Sequence, residues 1–276
     1  MAPSAKLPLG TLIALGGGDD DPVLALVNEL LPTPDTPVEV VSTAAYRHPV
    51  KTGNAYVAAL RELGCTNVHH LRVDASYPGD RAATLRRLEK AGAVFFTGGD
   101  QECITEHWTN TPALQLLCER YQTDPNFIIA GTSAGAAAMP SRMIVAGFGA
   151  RSLTKGGMHT ANGLSLIQHL IIDQHFAERG RFGRLAHAVL QHPASIGLGL
   201  GQETGVIIRG GHDTEVFGDG VVIVVDGAHL TGDNLGRIGR GEPVAGQNLR
   251  VHLLVAGQHY DLRTRRVAVE TPENAL

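Results

Sequence analysis

A chain of 276 residues, 43% apolar and with a mean hydropathy of 0.00, can build a sizeable core and lacks the bias of a disordered or membrane-spanning protein. A net charge of −4 and a pI near 6.3 supply no field for a polyanion, so nucleic acid is not an expected partner. Three unpatterned cysteines argue against a disulfide framework, no apolar run approaches the roughly 20 residues of a bilayer span, and the N-terminus lacks the basic start and apolar core of a secretory signal, which together predict a cytoplasmic protein.

In chain order, Thr11–Leu15 reads as a buried strand ending in Gly16-Gly17-Gly18-Asp19-Asp20-Asp21. A dinucleotide fingerprint would need glycine where Asp21 stands, and three aspartates would repel a pyrophosphate. No phosphate-binding loop of the G-x-x-x-x-G-K type is present either, and no cofactor is expected. The segment is read as a tight polar turn, near a site or at the surface. Val38–Val41 is the next strand, followed by a helix near Thr52–Leu63 with Tyr56, Val57, Leu60 and Leu63 on one face. A strand at Val68–Val73 precedes a helix opened by Pro78-Gly79-Asp80, with Ala82, Leu85 and Leu88 apolar and Gly92 closing it. Ala93–Phe96 is another buried strand, running into Thr97-Gly98-Gly99-Asp100-Gln101, and Thr111-Pro112 opens a third helix.

Phe127–Ala130 then forms a short strand that stops at Gly131-Thr132-Ser133-Ala134-Gly135, with Ala136–Met139 suited to a helix start. Glycines around a single serine fit a sharp strand-to-helix turn that exposes Ser133 beside unsatisfied helix-start N–H groups. Such donors suit an oxyanion developing on an attacked carbonyl. An ordinary tight turn with a serine cap has the same local pattern. Strands alternating with helices imply a mostly parallel α/β sheet with helices on both faces, and ligands on such sheets bind beyond the carboxyl ends of the strands. The strand ends at Gly98-Gly99 and Gly131–Gly135 are therefore expected to meet.

Beyond Pro140, Leu166–Ile172 leads into Asp173-Gln174-His175-Phe176, and Ala177 to Leu190 reads as helical. After the glycine-rich apolar segment Ile196–Gly201 the chain turns β-rich, with strands at Thr204–Ile208, Val221–Val225 and Leu249–Val255. One domain is expected, with extra strands from about residue 205 added to the α/β core and a frayed tail after Val267.

A serine nucleophile needs a base in reach and a group that orients the base. The spacing of the 13 histidines matches no zinc pattern, and no metal is expected. His175 stands out because it ends an apolar run among polar neighbours, where the sheet rule places a site. Glu203, at the next strand end, is the candidate acid, with a surface carboxylate as its alternative. Arg181 and Arg184, three residues apart, would share a helical face, and arginines near a nucleophile favour a substrate bearing carboxylates. A solvated helix face is the other reading of that cluster.

Five blocks, F-F-T-G-G-D-Q (Phe95–Gln101), G-T-S-A-G-A-A-A-M (Gly131–Met139), K-G-G-M (Lys155–Met158), D-Q-H-F-x-x-R-G-R-x-G-R-L (Asp173–Leu185) and D-L-R-T (Asp261–Thr264), resemble the cyanophycinases over nearly the whole chain. These belong with the aspartyl dipeptidases, serine peptidases on a class I glutamine amidotransferase-like fold. The resemblance implies hydrolysis of cyanophycin, a poly-aspartate with arginine on each side chain, to β-Asp-Arg dipeptides, and a homodimeric enzyme. It assigns Ser133 as nucleophile, His175 as base and Glu203 as orienting acid. It further assigns the N–H groups of Gly99 and Ala134 to the oxyanion hole, and Gln101, Asp173, Gln174, Arg181 and Arg184 to the substrate pocket. Two local departures stand out: Gln202-Glu203-Thr204 replaces the family's usual Asp-Glu-Asp, and Asp19–Asp21 departs from Gly-Ala-Glu-Asp.

Three rival readings share parts of this pattern. An α/β-hydrolase esterase would use the order serine, acid, histidine, such as Ser133, Asp173 and His187 or His192. An aspartyl dipeptidase of the same fold would lack use for the paired arginines. A non-catalytic cyanophycin-binding protein would not need all three triad residue types.

Overall fold

The computed structural model describes residues 7–268. Five short strands, β1 (Thr11–Leu15), β2 (Val38–Val41), β3 (Val68–Leu71), β4 (Ala93–Phe96) and β5 (Ile128–Thr132), pair in parallel in the order β1-β5-β4-β2-β3. The connecting helices are α1 (Asp21–Leu30), α2 (Pro49–Glu62), α3 (Ala82–Lys90), α4 (Gln101–Trp108) and α5 (Pro112–Thr123). Alternate strand residues serve two cores, as the two-residue repeat of a strand requires. Leu12, Val94, Phe96 and Ile129 face one; Ile13, Phe95, Ala93 and Ala130 face the other. Thr111 caps α5 by accepting the Leu114 N–H, with Pro112 in the first turn.

The aspartate-rich turn is a helix start. Asp20 is the N-cap of α1, Asp21 and Pro22 lie in its first turn, and Val23, Leu24 and Val27 are buried. Acidic residues there complement the positive end of the helix dipole. Neither this helix nor α4, capped by Asp100, is anticipated by the apolar periodicity.

After β5 come the short helix α6 (Ala134–Ala137) and a hairpin of β6 (Arg142–Ala146) and β7 (His159–Asn162). β8 (Leu170–Asp173) precedes α7 (Phe182–Gln191), β9 (Ile196–Leu200) and β10 (Thr204–Arg209). The segment from Ala177 is not one helix, because left-handed Gly180 (φ 57°) interrupts it; Arg181 caps α7 and Arg184 lies in its first turn. β10 lies antiparallel against β1, and β11 (Asp213–Gly218) follows it in the main sheet.

The later strands do not all extend that sheet. β12 (Val222–Asp226) and the strand Arg250–Leu254 join β8 and β9 in a separate four-stranded sheet. A two-residue pairing of Gly232–Asp233 with Gly246–Gln247 lies between them in the chain. The strands His259–Asp261 and Arg266–Val267 return to the edge of the main sheet beyond β11, giving it nine strands. β8 and β9 are buried throughout and require cover on both faces. Leu198, Leu200, Val222, Val224 and Leu254 share an apolar cluster with Leu12, Val206 and Ile208, so the two sheets pack on a common core. Residues from 269 onward, where the frayed tail is expected, lie outside those described. Among the described residues no helix is long and apolar enough to cross a membrane.

Candidate active site

β5 ends in the turn that carries Ser133. Its backbone has φ 50° and ψ −109°, outside the regions open to ordinary residues. The left-handed region costs a non-glycine residue roughly 1–2 kcal/mol, so surrounding contacts must hold it. The flanking glycines explain how the turn closes. A Cβ on Gly135 would stand 2.2 Å from the Phe96 carbonyl oxygen, and one on Gly131 2.8 Å from the Gly135 carbonyl carbon. Only glycine fits both places.

The Ser133 hydroxyl lies 3.0 Å from Nε2 of His175, within hydrogen-bond reach of a nucleophile and its base. His175 is half-buried and also left-handed (φ 46°), just past the end of β8. Its ring packs on Gly17, where a Cβ would come within 2.4 Å of the imidazole. Burial, then the nearby Arg179 and Arg181 charges, hold its pKa below the ordinary histidine value, against a smaller opposing pull from Glu178 and Asp173. At neutral pH the ring is therefore neutral, the form a general base requires.

The atom opposite Nδ1 belongs to Gln202, whose side-chain amide stands 3.0 Å away. For Nε2 to accept the serine proton, Nδ1 must carry its own, and the amide oxygen is the group that accepts it. Amide nitrogen and oxygen exchange places by a flip, so the geometry serves this bond. The structure does not bring the Glu203 carboxylate to this position. Residue 203 is left-handed (φ 56°), the residue is exposed, and among the described residues no hydrogen bond to that carboxylate is found. Both residues reach the site because β10 runs antiparallel to β1, which sets the start of β10 beside the end of β1, with Gly205 opposite Leu15.

The expected meeting of glycine-bearing strand ends is present. A Cβ on Gly98 would lie 3.5 Å from that of Ser133, and Gly99 (φ 142°) is pressed against the Ala44 carbonyl. The Ala134 N–H opens α6, and among the described residues no internal hydrogen bond engages it or the Gly99 N–H. N–H groups left without an internal acceptor are the kind of donor that an oxyanion uses.

Gly99, Gln101, Gln174, Arg181 and Arg184 line a cavity of about 580 Å³. Beneath it Asp173, 1% exposed, accepts two bonds from Arg184: Nε at 2.7 Å, and Nη2. Nη1 of Arg181 lies 3.4 Å from the same carboxylate and 2.6 Å from Oε1 of Gln174. Gln101 is held by the carbonyl of Ile144 at 2.9 Å. The arginines are therefore not a solvated face, being only 6% and 5% exposed. They differ in what they have left: among the described residues the buried Nε of Arg181 has no partner, whereas both donors of Arg184 that face Asp173 are engaged. Burial, then the charge of Arg184, lowers the Arg181 pKa to about 10, which leaves it charged at neutral pH. With Arg47 and Arg179 also lining the cavity against Asp100 and Glu102, and with Asp173 beneath, cations outnumber carboxylates.

The serine–acid–histidine order of an α/β-hydrolase is not realised. Asp173 is committed to the arginines, Nδ1 of His187 bonds the Ser152 carbonyl at 2.7 Å, and His192 bonds Thr160. Gln202 is the site residue that the sequence reading does not assign; its one signal is adjacency to Glu203. Among the described residues no group of three His, Cys, Asp or Glu side chains could hold a metal ion.

Residues 12–216 match the model of peptidase family S51. The chain is 32% identical over 232 residues to the cyanophycinase of Geminocystis herdmanii, covering 84% of this chain and 85% of that protein. It is 34% identical over 224 residues to the cyanophycinase of Trichormus variabilis (81% and 75% of the two chains), and 30% identical over 263 residues to that of Synechococcus elongatus (94% and 81%). In fold it is similar to a peptidase from an acI-B1 Actinobacterium, with TM-score 0.68, 21% identity and 94% and 98% of the two chains covered. A putative peptidase E protein from Listeria monocytogenes aligns with TM-score 0.53 at 18% identity, over 76% and 98%.

Proposed function

The chain belongs to peptidase family S51 and is a serine peptidase, and from that premise we propose that it hydrolyses cyanophycin to β-Asp-Arg dipeptides through an acyl-enzyme. The observation that carries the reading is the 3.0 Å contact of Ser133 with His175 at the edge of an arginine-lined cavity. The likeness to proteins named cyanophycinase at 30–34% identity supports the substrate.

In this reading Ser133 Oγ attacks the scissile carbonyl carbon while Nε2 of His175 takes the hydroxyl proton. The carbonyl oxygen becomes an oxyanion facing the Gly99 and Ala134 N–H groups. His175 then returns the proton to the leaving amine, which departs and leaves an ester on Ser133. Water, deprotonated by the same nitrogen, cleaves that ester. A Gln202 amide orients the ring through Nδ1, but carries no charge to offset the imidazolium. Gln101, Gln174 and Arg181 line the side of the cavity where a substrate carrying carboxylates would lie. The assembly implied by the resemblance, a homodimer, is part of this reading, and light scattering that finds only monomer would remove it.

Incubation with insoluble cyanophycin, followed by mass analysis of the supernatant, tests the substrate. β-Asp-Arg dipeptide is the expected product. No soluble product from an enzyme that still cleaves a simple nitrophenyl ester would overturn the reading.

A further inference from the structure

The end of β1 and the turn after it hold three residues of the site. Three consecutive carbonyls, of Leu15, Gly16 and Gly17, accept the backbone N–H groups of Ser133 (2.9 Å), His175 (2.8 Å) and Glu203 (2.7 Å). The donors are three of the eight left-handed non-glycine residues among those described. Each has a backbone that only its surroundings can hold, and all three are held by the same row of consecutive carbonyl oxygens.

Three residues beyond Gly17, Asp20 ties this turn to the nucleophile's strand. Its Oδ1 accepts the Thr132 hydroxyl at 2.5 Å, and its Oδ2 accepts the Tyr56 hydroxyl. Thr132 is buried, 2% exposed, and immediately precedes Ser133. Tyr56, on α2, is itself fixed by ring packing on Phe95 at 5.2 Å. Burial pushes the Asp20 carboxyl up, and the two hydroxyl donors pull it back toward the ionised form. Neither bond has a part in the chemistry described above.

We propose that Asp20 is a positioning residue for the reaction, acting through Thr132 and braced by Tyr56 to hold Ser133 at hydrogen-bond distance from His175. This rests on Ser133 being the nucleophile. The carbonyl row sets the backbone of Ser133 and His175, and the Asp20–Thr132 bond stops the elbow rotating away from that row. An asparagine at position 20 would meet the two hydroxyls with one carbonyl oxygen and one NH2 group, so one hydroxyl must turn from donor to acceptor and both lose a charged partner.

The test is the rate at which a fluorophosphonate labels Ser133, which requires no knowledge of the peptide substrate. Ser133→Ala checks the underlying reading: persistent labelling at the site would remove both it and the proposal. With that control unlabelled, Asp20→Asn and Thr132→Val are expected to slow maximal inactivation about tenfold or more, the loss of one hydrogen bond to a charged group. Reagent affinity and the midpoint of the pH profile should stay as in the wild type. Thr132→Ser, which keeps the hydroxyl, should restore most of the rate, and the double variant should be no slower than the worse single one. If Asp20→Asn fails to fold, the Val and Ser variants at position 132 decide alone. Wild-type inactivation by Thr132→Val, or a shifted pH midpoint, or weakened affinity with unchanged maximal rate, would overturn the proposal while leaving Ser133 as nucleophile.

Discussion

The side-chain amide of Gln202 stands 3.0 Å from Nδ1 of His175, the place where a serine peptidase of this order is expected to present the carboxylate of its neighbour, Glu203. A neutral amide can fix the ring and its tautomer, but it stabilises the imidazolium of the transition state less than a carboxylate does. Gln202→Ala should therefore cost on the order of tenfold in kcat, the worth of about 1.4 kcal/mol, and more than Glu203→Gln. Gln202→Glu should raise both kcat and the histidine pKa. Steady-state rates across pH for the three variants check this; a far larger loss for Glu203→Gln would return the orienting role to Glu203.

Ser133→Ala should leave the fold and thermal stability intact, because the residue's strain is relieved or unchanged by losing a hydroxyl. Turnover should fall by a factor on the order of 10³ or more, since nucleophile and base act as a unit. Most of the activity persisting in the alanine variant would place the nucleophile elsewhere.

The base must be unprotonated, so activity should rise as pH climbs through the His175 pKa and then level off. Burial first, and then Arg179 and Arg181, set that pKa below the ordinary 6.5, so the rise should be centred below it. Arg179 is exposed, and Arg179→Ala removes a cation that disfavours the imidazolium. The midpoint should shift to higher pH. Glu178→Gln removes an anion that favours the imidazolium and should shift it lower. A rate profile insensitive to both substitutions would show that another group titrates.

The two buried arginines should separate by assay. Arg184→Ala leaves Asp173 buried with the Gln174 N–H at 2.9 Å and, as its ion-pair partner, Arg181 at 3.4 Å, and breaking such a pair costs about 3–5 kcal/mol of stability, read in a denaturant titration. Arg181 lines the cavity and reaches Asp173 only at 3.4 Å, so Arg181→Ala leaves the Asp173–Arg184 pair in place and should cost less stability. On the proposed substrate it should lose roughly 10- to 150-fold in kcat/KM, the equivalent of about 1.5–3 kcal/mol, with lysine a partial replacement. Cyanophycin amidated at its branch carboxylates should be a poorer substrate for the wild type, and its disadvantage should shrink in Arg181→Ala. An equal disadvantage in both would mean that Arg181 does not contact those carboxylates.

Much of this molecule is legible from local pattern. Ala93–Phe96 is an unbroken apolar run, Thr111-Pro112 is a helix start in any context, and the glycines at 131 and 135 announce a turn whose packing excludes a Cβ. His175 also follows from position, since it stands just past the end of an apolar strand. Helix α1 is not legible locally because its start is an aspartate cluster, which reads equally as a solvent-facing turn, and Gly180 breaks a helix whose apolar spacing continues across it. What depends on partners distant in the chain could not be read there. The antiparallel return of β10 along β1 brings residues 202 and 203 to the end of a parallel sheet, and one left-handed residue then decides which of the two side chains faces His175. The commitment of Asp173 to Arg184, and the row of carbonyls from Leu15 to Gly17, are likewise pairings across 11 to nearly 190 residues. Local propensity carries no information about such pairings, because their geometry exists only once the sheets have closed on their common core.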